Sequence, residues 1–521
     1  MKLQSALKPE LNFPPHVNYQ FCFPRIITIQ LHVFLECREM QKLPVGLATT
    51  GLTFLVLAVL MGWVIVPKII EDQIYKQVQL RNGTEVWDKW SDIPIPVYLK
   101  FYIFNVTNPL EVERGEKPRL QQVGPYSYRE KRRKVDLSVS EDEDVVTYRQ
   151  PVEYFFEENM SSGSEDDLVN IINIPFVAVA HKAEELPYFI RYLVSMYLEN
   201  FKQTLCITRT VGEILFQGYH EPMLSELQEI TGEKILKEEK FGLYYPKNGT
   251  DDGLFEIYSG VKDVSKFGLI KTWNNKTQLD WWLKTEGNYC NNINGTDGSL
   301  YPPFVKKDRI LYIFHPDICR SLGLTYSHDT EFMGIPGYRF TAPRSMLEDP
   351  KVNHDNLCFC PDDSDNYAKC LKAGAIDLSS CRDGAPVAMS TPHFYEADEE
   401  YIQQSIGIRP VQELHETFLD IEPNTGLIMQ AHKRIQINVR LKKMPFIDTF
   451  KDVPEMLFPV LWADEYATLD DENAGTLKKQ LITPLKIVEV TKWIILCVSI
   501  ILICAGFVVC FVRMRRTKYP V

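Results

Sequence analysis

The residues best equipped for chemistry in this chain are its twelve cysteines. Cys22 and Cys37 precede the first long apolar run, and Cys497, Cys504 and Cys510 lie in the second. Seven lie between: Cys206, Cys290, Cys319, Cys358, Cys360, Cys370 and Cys381. The last six of these crowd into 92 residues. In an oxidising compartment such a cluster reads as a disulfide patch, and six thiols leave fifteen pairings open. Zinc is the rival chemistry. The Cys-x-Cys spacing at Cys358 and Cys360 does not suit a zinc knuckle, and histidines at fixed offsets are missing, so no metal is expected. Cys206 is left over and is expected to be a buried free thiol.

Asn-x-Ser/Thr sequons occur at Asn82, Asn105, Asn159, Asn248, Asn275 and Asn294, all between the two apolar runs. One sequon is a weak signal, but six confined to one stretch argue for a luminal or extracellular compartment. Asn105 lies in a strand-like run and is the least accessible. Catalytic signatures are missing: the chain has no G-x-S-x-G, no H-E-x-x-H and no P-loop. Ten histidines are scattered. His393, beside aromatics, and His415, beside glutamates, read as structural hydrogen-bonding residues. No catalytic residue and no cofactor is assigned, and binding is the expected role rather than catalysis.

Two elements must hold this stretch in place. Val45–Val66 is 22 residues without a charge, and Trp493–Val512 is 20. Each is long enough to span a hydrocarbon core of about 30 Å. The first starts too far in, and runs too long, for a cleaved signal peptide. The first 44 residues carry +2 and the last nine +4 against a whole-chain charge of −12, so the stretch between carries −18. Basic flanks stay cytosolic. The expected organisation is a cytosolic tail (1–44), a transmembrane helix (45–66), an acidic glycosylated ectodomain (67–492), a second transmembrane helix (493–512) and a cytosolic tail (513–521). The acidity argues against nucleic acid as a partner.

Within the ectodomain, Ile70, Ile74 and Val78 predict an amphipathic helix leaving the membrane. The run PVYLKFYIFNVTNP at 96–109 predicts a strand closed by a turn. Residues 124–151 predict two strands around an acidic turn, with basic residues 129–134 facing acidic residues 141–144 across the hairpin. Residues 184–206 predict one helix with an apolar stripe of Leu186, Phe189, Ile190, Leu193, Met196, Tyr197 and Phe201. Residues 211–230 predict a second helix, and short strands dominate from there to about 462. Residues 432–443 alternate strictly. The ectodomain is therefore expected to be a single, mainly β domain with helical insertions.

Several strings carry a resemblance: LRNGTEVWDKW (80–90), PVYLKFYIFNVTNP (96–109), QVGPYSYRE (122–130), YCNNINGTDG (289–298), DICRS (317–321), LCFC (357–360), PHFYEAD (392–398) and LDIEPNTGLIMQAHKRIQIN (419–438). Together with the two anchors, they resemble the class B scavenger receptor family over roughly residues 43–512. The resemblance implies a large antiparallel β-barrel-like ectodomain with an apical helical bundle and an apolar tunnel. It implies a receptor for lipids, fatty acids, lipoproteins or lipid-bearing particles that passes lipid to the membrane. The alternative is a phagocytic, adhesion or trafficking receptor without lipid transfer. It also implies the pairs Cys290–Cys358, Cys319–Cys381 and Cys360–Cys370. The family's apex falls on the helix at 184–206, which makes Lys202, Phe201 and Tyr197 the candidate ligand contacts. Asn200 stands where the fatty acid translocase branch has a lipid-reactive lysine.

Two departures matter. The residues after Met40 look like a usual family start, so Met40 is the expected functional start. The tail RMRRTKYPV has no acidic dileucine signal, which favours the plasma membrane, with endosomal or lysosomal membrane as the alternative. Cys510, at the cytosolic edge, is a candidate for palmitoylation. Oligomers are open to such a chain.

Overall fold

The computed structural model describes residues 42–142, 144–200, 203–223, 240–283, 286–360 and 370–518. Met40, Cys22 and Cys37 lie outside them. The chain divides into two compact units, one holding the terminal apolar helices and the other comprising Gln73–Leu477.

In the first unit, the helix Lys42–Leu60 passes through a π-helical turn, Met61–Ile65, into Val66–Val78. The C-terminal helix Thr483–Lys518 is 36 residues long. Both are long and apolar enough to cross a membrane. Lipid offers no hydrophobic drive for pairing, so spanning helices rely on close approach at small residues. A Cβ at Gly51 would lie 2.8 Å from the Ile503 side chain and 2.9 Å from its backbone nitrogen. Gly506 backs onto Ala48 in the same way. Near one end of the pair, Trp63 and Trp493 meet edge to face at 6.0 Å. Lys492 lies over both rings. Such aromatic and cationic groups mark a bilayer interface.

The second unit is built on an eleven-stranded antiparallel sheet. In chain order its strands are β1 (Val97–Val106), β2 (Leu120–Arg132), β3 (Val152–Phe156), β4 (Leu311–His315), β5 (Arg320–Phe332), β6 (Ile335–Thr341), β7 (Ala375–Asp377), β8 (Val387–Ser390), β9 (Phe418–Ile421), β10 (Ile428–Leu441) and β11 (Met456–Thr468). The spatial order is β4-β5-β6-β9-β10-β11-β1-β2-β3, with β8 also on β10 and β7 on β8. The aromatic and β-branched run at 97–106 does form a strand. It is central rather than peripheral, because β11 and β2 pair on either side of it. Register slips between Phe101 and Ile103 at a bulge opposite Gly124. That glycine has φ of 113°, and a Cβ there would lie 2.5 Å from the Phe101 carbonyl. Only glycine tolerates this approach. The following Pro125 is admitted because a bulge interrupts the ladder.

The basic stretch at 129–134 does not face the acidic turn. The hairpin pairs Val135–Ser140 with Val145–Arg149, so the basic residues lie before it. Their partners are elsewhere: Arg129 meets Glu157, Lys131 meets Glu153, and Arg132 meets Glu130 and Glu465. Asp144 in the turn instead accepts hydrogen bonds from the backbone N–H groups of Val261 and Lys262.

The single helix expected over 184–206 is two helices and a strand. Here α1 is Ile174–Glu184 and α2 is Tyr188–Asn200. Pro187 separates them, because its ring disfavours helix in the residue before it and it lacks an N–H. Asn173 caps α1, its side chain accepting the Phe176 N–H. Cys206 opens a strand, Cys206–Thr210, that pairs with Leu168–Ile172. Of the second helix expected over 211–230, residues 211–217 are helical, with Glu213–Gln217 a π-helical turn. Gly218, at φ of 65°, ends it before the short strand Tyr219–His220. Residues 224–230 lie outside the described ones.

The core joins β1 and β11 to α1. Phe101, Ile103, Phe176, Phe450, Phe458 and Leu461 are all buried in one cluster. The alternation in β10 holds for side-chain direction but not for burial. Gln436 and Asn438, on the polar side, are fully buried and hydrogen-bond to each other at 2.8 Å.

Candidate ligand-binding surface and sheet interior

Three disulfides join the loop cysteines: Cys290–Cys358, Cys319–Cys381 and Cys360–Cys370. Cys206 is a buried free thiol. Burial, then the charge of Glu113, pushes it up to about 12, so it is inert as a nucleophile. Cys510 is buried and disulfide-bonded rather than free. Among the described residues no cluster of histidine, cysteine and carboxylate could hold a metal.

Of the sequon asparagines, Asn82, Asn159, Asn248 and Asn275 are exposed on turns or a short helical turn, and Asn294 is half-buried. Asn105 lies within β1, and its side-chain oxygen accepts the Asn170 N–H at 2.8 Å. The Asn248 oxygen accepts the Tyr154 N–H at 3.0 Å.

The helix α2 has two apolar faces. Val194 and Leu198 are buried, and Ile190 and Tyr197 pack partly buried against the core. The opposite face exposes Tyr188 (83%), Phe189 (67%), Tyr192 (55%) and Met196 (48%). Tyr197, one of the three expected apex contacts, is partly buried and packs against the core. Lys202 and Phe201 lie outside the described residues, as does the side chain of Asn200. The apolar stripe read from sequence merged two faces, because three-and-four spacing cannot say how wide the core contact is. The corner between the helices is held by Arg191, whose guanidinium donates to the Leu186 carbonyl at 3.3 Å and lies over the Phe446 ring.

One face of the main sheet combines aromatics with a buried ion network. Phe101 meets Tyr128 at 5.8 Å, Phe216 at 6.0 Å and Tyr244 at 4.9 Å between ring centroids. Register puts Leu99 opposite Glu465 on β11, and Glu465 opposite Lys433 on β10. Arg132 reaches Glu465 at 2.5 Å, Lys433 pairs with Glu465, and Lys247 pairs with Asp317. Burial alone would raise Glu465, but Lys433 and Arg132 outweigh it and hold its carboxyl well below the ordinary range. Burial wins at Glu130, whose carboxyl is raised despite Arg132. Burial, then Lys433, pushes the His315 imidazole down to about 3. No spacing in the sequence signals these partners, since Arg132 and Glu465 are 333 positions apart.

The other face carries an aromatic and imidazole stack. Tyr102 and Trp462 stack at 3.9 Å. The Trp462 Nε1–H donates to Gln122 Oε1 at 2.8 Å, and His393 Nε2 lies 2.6 Å from the same oxygen. His393 Nδ1 accepts the Arg409 N–H, and His415 Nδ1 accepts the Val411 N–H. Both rings are thus held neutral with the proton on Nε2. Both histidines have the structural roles read from their neighbours, and neither lies against a nucleophile.

Two apolar helices, each long enough to cross a membrane, bracket one large, disulfide-bonded, sheet-rich unit. The CD36 family model matches residues 49–510. The chain is 39% identical to human lysosome membrane protein 2 over 446 residues, covering 85% of this chain and 88% of that one. It is 34% identical to scavenger receptor class B member 1 of Cricetulus griseus over 452 residues, covering 87% and 86%. The chain belongs to the CD36 family.

Proposed function

We propose that this chain is a membrane receptor that docks lipids, lipoproteins or lipid-bearing particles and passes lipid toward the bilayer. The observation that carries the docking half is the exposed apolar face of α2. Large aromatic and aliphatic side chains gathered on one helix face mark an interaction surface. Tyrosine and phenylalanine there suit a surface with apolar acyl chains and polar headgroups. Each acyl CH₂ moved from water into an apolar site gains about 0.8 kcal/mol, so transfer requires no reaction, only a dry path.

Residues 67–492 are assigned to the outer or luminal side, with both basic ends cytosolic. The acidic stretch, the sequons and the disulfides support this orientation. The plasma membrane is the favoured location, and a lysosomal membrane the alternative that one relative's name supports. The assignment is to a receptor, not an enzyme.

A second reading rests on a different observation. The sheet face around Phe101 is filled by packed aromatic rings, which favours a phagocytic, adhesion or trafficking receptor that binds particles without moving lipid. Cells expressing the chain, given particles labelled separately in protein and lipid, distinguish the two. Lipid uptake in excess of protein uptake supports transfer, and equal uptake of both labels supports the second reading.

A further inference from the structure

The ion network on the inner sheet face reaches across the interior. In the spatial order of the sheet, β5, β6 and β9 stand between β4 and β10, a distance of about 19 Å if the sheet were flat. Yet His315, the last residue of β4, meets Lys433 of β10, Nε2 to Nζ at 2.5 Å. The sheet is therefore curled, and this contact crosses the inside of the curl. The contacts continue on both sides of it. Lys433 pairs with Glu465 of β11, and Glu465 with Arg132, the last residue of β2. Beyond His315, Asp317 donates its backbone N–H to the imidazole Nδ1 at 3.2 Å, and its carboxylate pairs with Lys247 and Arg382. The result is a charged bar from β2 to β4.

Register isolates this bar. On the inner face β11 carries Ala463, Glu465 and Ala467, opposite Ile435, Lys433 and Ala431 of β10. One charged rung thus lies between two apolar ones. The apolar core divides at the same place. Phe101, Leu461 and Ala463 belong to one cluster, and Phe340, Leu419 and Ala431 to another. The side chains of Arg132, Glu465, Lys433, Lys247 and Asp317 keep 18–31% of their surface accessible, so a molecule moving between the two regions meets them.

We propose, building on the lipid-transfer reading, that this bar is the selectivity element of lipid passage: it admits lipids with a polar head and turns back wholly apolar ones. A wholly apolar molecule lodged at the bar strips water from its charges and returns no hydrogen bond, which is costly. A hydroxyl or carboxylate head accepts from Arg132 or Lys433 and offsets that loss, while its tail lies against the apolar rungs.

The test gives cells expressing the full chain particles that carry labelled hexadecanol and hexadecane, which differ by one hydroxyl, with uptake by mock-transfected cells subtracted. The unaltered chain should favour hexadecanol at least about ten-fold. Arg132→Met, Lys433→Met and Glu465→Leu combined replace the bar by apolar side chains of similar size, a change that buried ion groups often tolerate. Hexadecane uptake should then rise to the level of hexadecanol. Lys433→Met with Glu465→Gln leaves Arg132 paired with Glu130, and keeps the test decisive if the triple variant fails to reach the surface. It should narrow the preference about three-fold. The proposal alone is overturned if the unaltered chain moves both lipids equally, or if both variants keep its preference at equal surface level. Uptake of neither lipid above mock, with particle binding intact, overturns the lipid-transfer reading and the proposal with it.

Discussion

His393 and His415 stack with ring centroids 4.5 Å apart and 20° between their planes. Each ring accepts a backbone N–H at Nδ1, so a proton added there breaks a hydrogen bond and sets a second charge beside its neighbour. Burial pushes His393 down to about 4. Burial, then His393 and Arg434, pushes His415 down to about 3.

The pH dependence follows from these directions. The unfolded chain takes up protons as pH falls through about 6.5, while the folded chain does not until about 4 or lower. Stability from the two rings is therefore full above pH 6.5 and declines as pH falls from there. At pH 5 the loss amounts to up to about 2 kcal/mol per ring. Melting of the full chain from pH 7.5 to 5 measures it. His415→Asn keeps an acceptor for the Val411 N–H without a titrating group, and should flatten the curve.

The helix pair depends on Gly51. Gly51→Leu pushes a side chain into Ile503 and should destabilise the pair by about 1–3 kcal/mol. Gly46→Leu is the control, because a Cβ there meets nothing within 4 Å. Cross-linking between cysteines placed on the two helices reads the difference.

The disulfides should differ in worth by the loops they close. Cys290–Cys358 and Cys319–Cys381 span 68 and 62 positions, and Cys360–Cys370 spans 10. Chain-entropy arguments give about 4 kcal/mol for each long closure and about 3 kcal/mol for the short one. Paired Cys→Ser replacements, ranked by melting temperature, test the order.

Sequon occupancy should follow exposure. Asn82→Gln, Asn159→Gln and Asn275→Gln should each remove one glycan step in gel mobility. Asn105→Gln should remove none, because its side chain is built into β1.

What could be read from the residues divides by range. The anchors and the 97–106 strand were legible because composition and periodicity are local. The break at Pro187 was also legible in principle, but a continuous apolar stripe over 184–206 masked it. The partners of Arg129, Lys131 and Arg132 were not, since register between distant strands decides them and no local pattern encodes it. The two faces of α2 are not separable in the sequence for a related reason. Phe189, Leu193 and Met196 have core-like types at core-like spacing, and only the packed neighbours reveal that they face outward.

The most direct measurement is particle binding and lipid uptake by cells expressing the chain with Tyr188→Ser, Phe189→Ser and Tyr192→Ser combined. These side chains are 55–83% exposed, so the surface level and melting temperature should hold. If the α2 face docks lipid-bearing particles, binding and selective lipid uptake both fall several-fold. Unchanged binding and uptake at equal surface expression would contradict it.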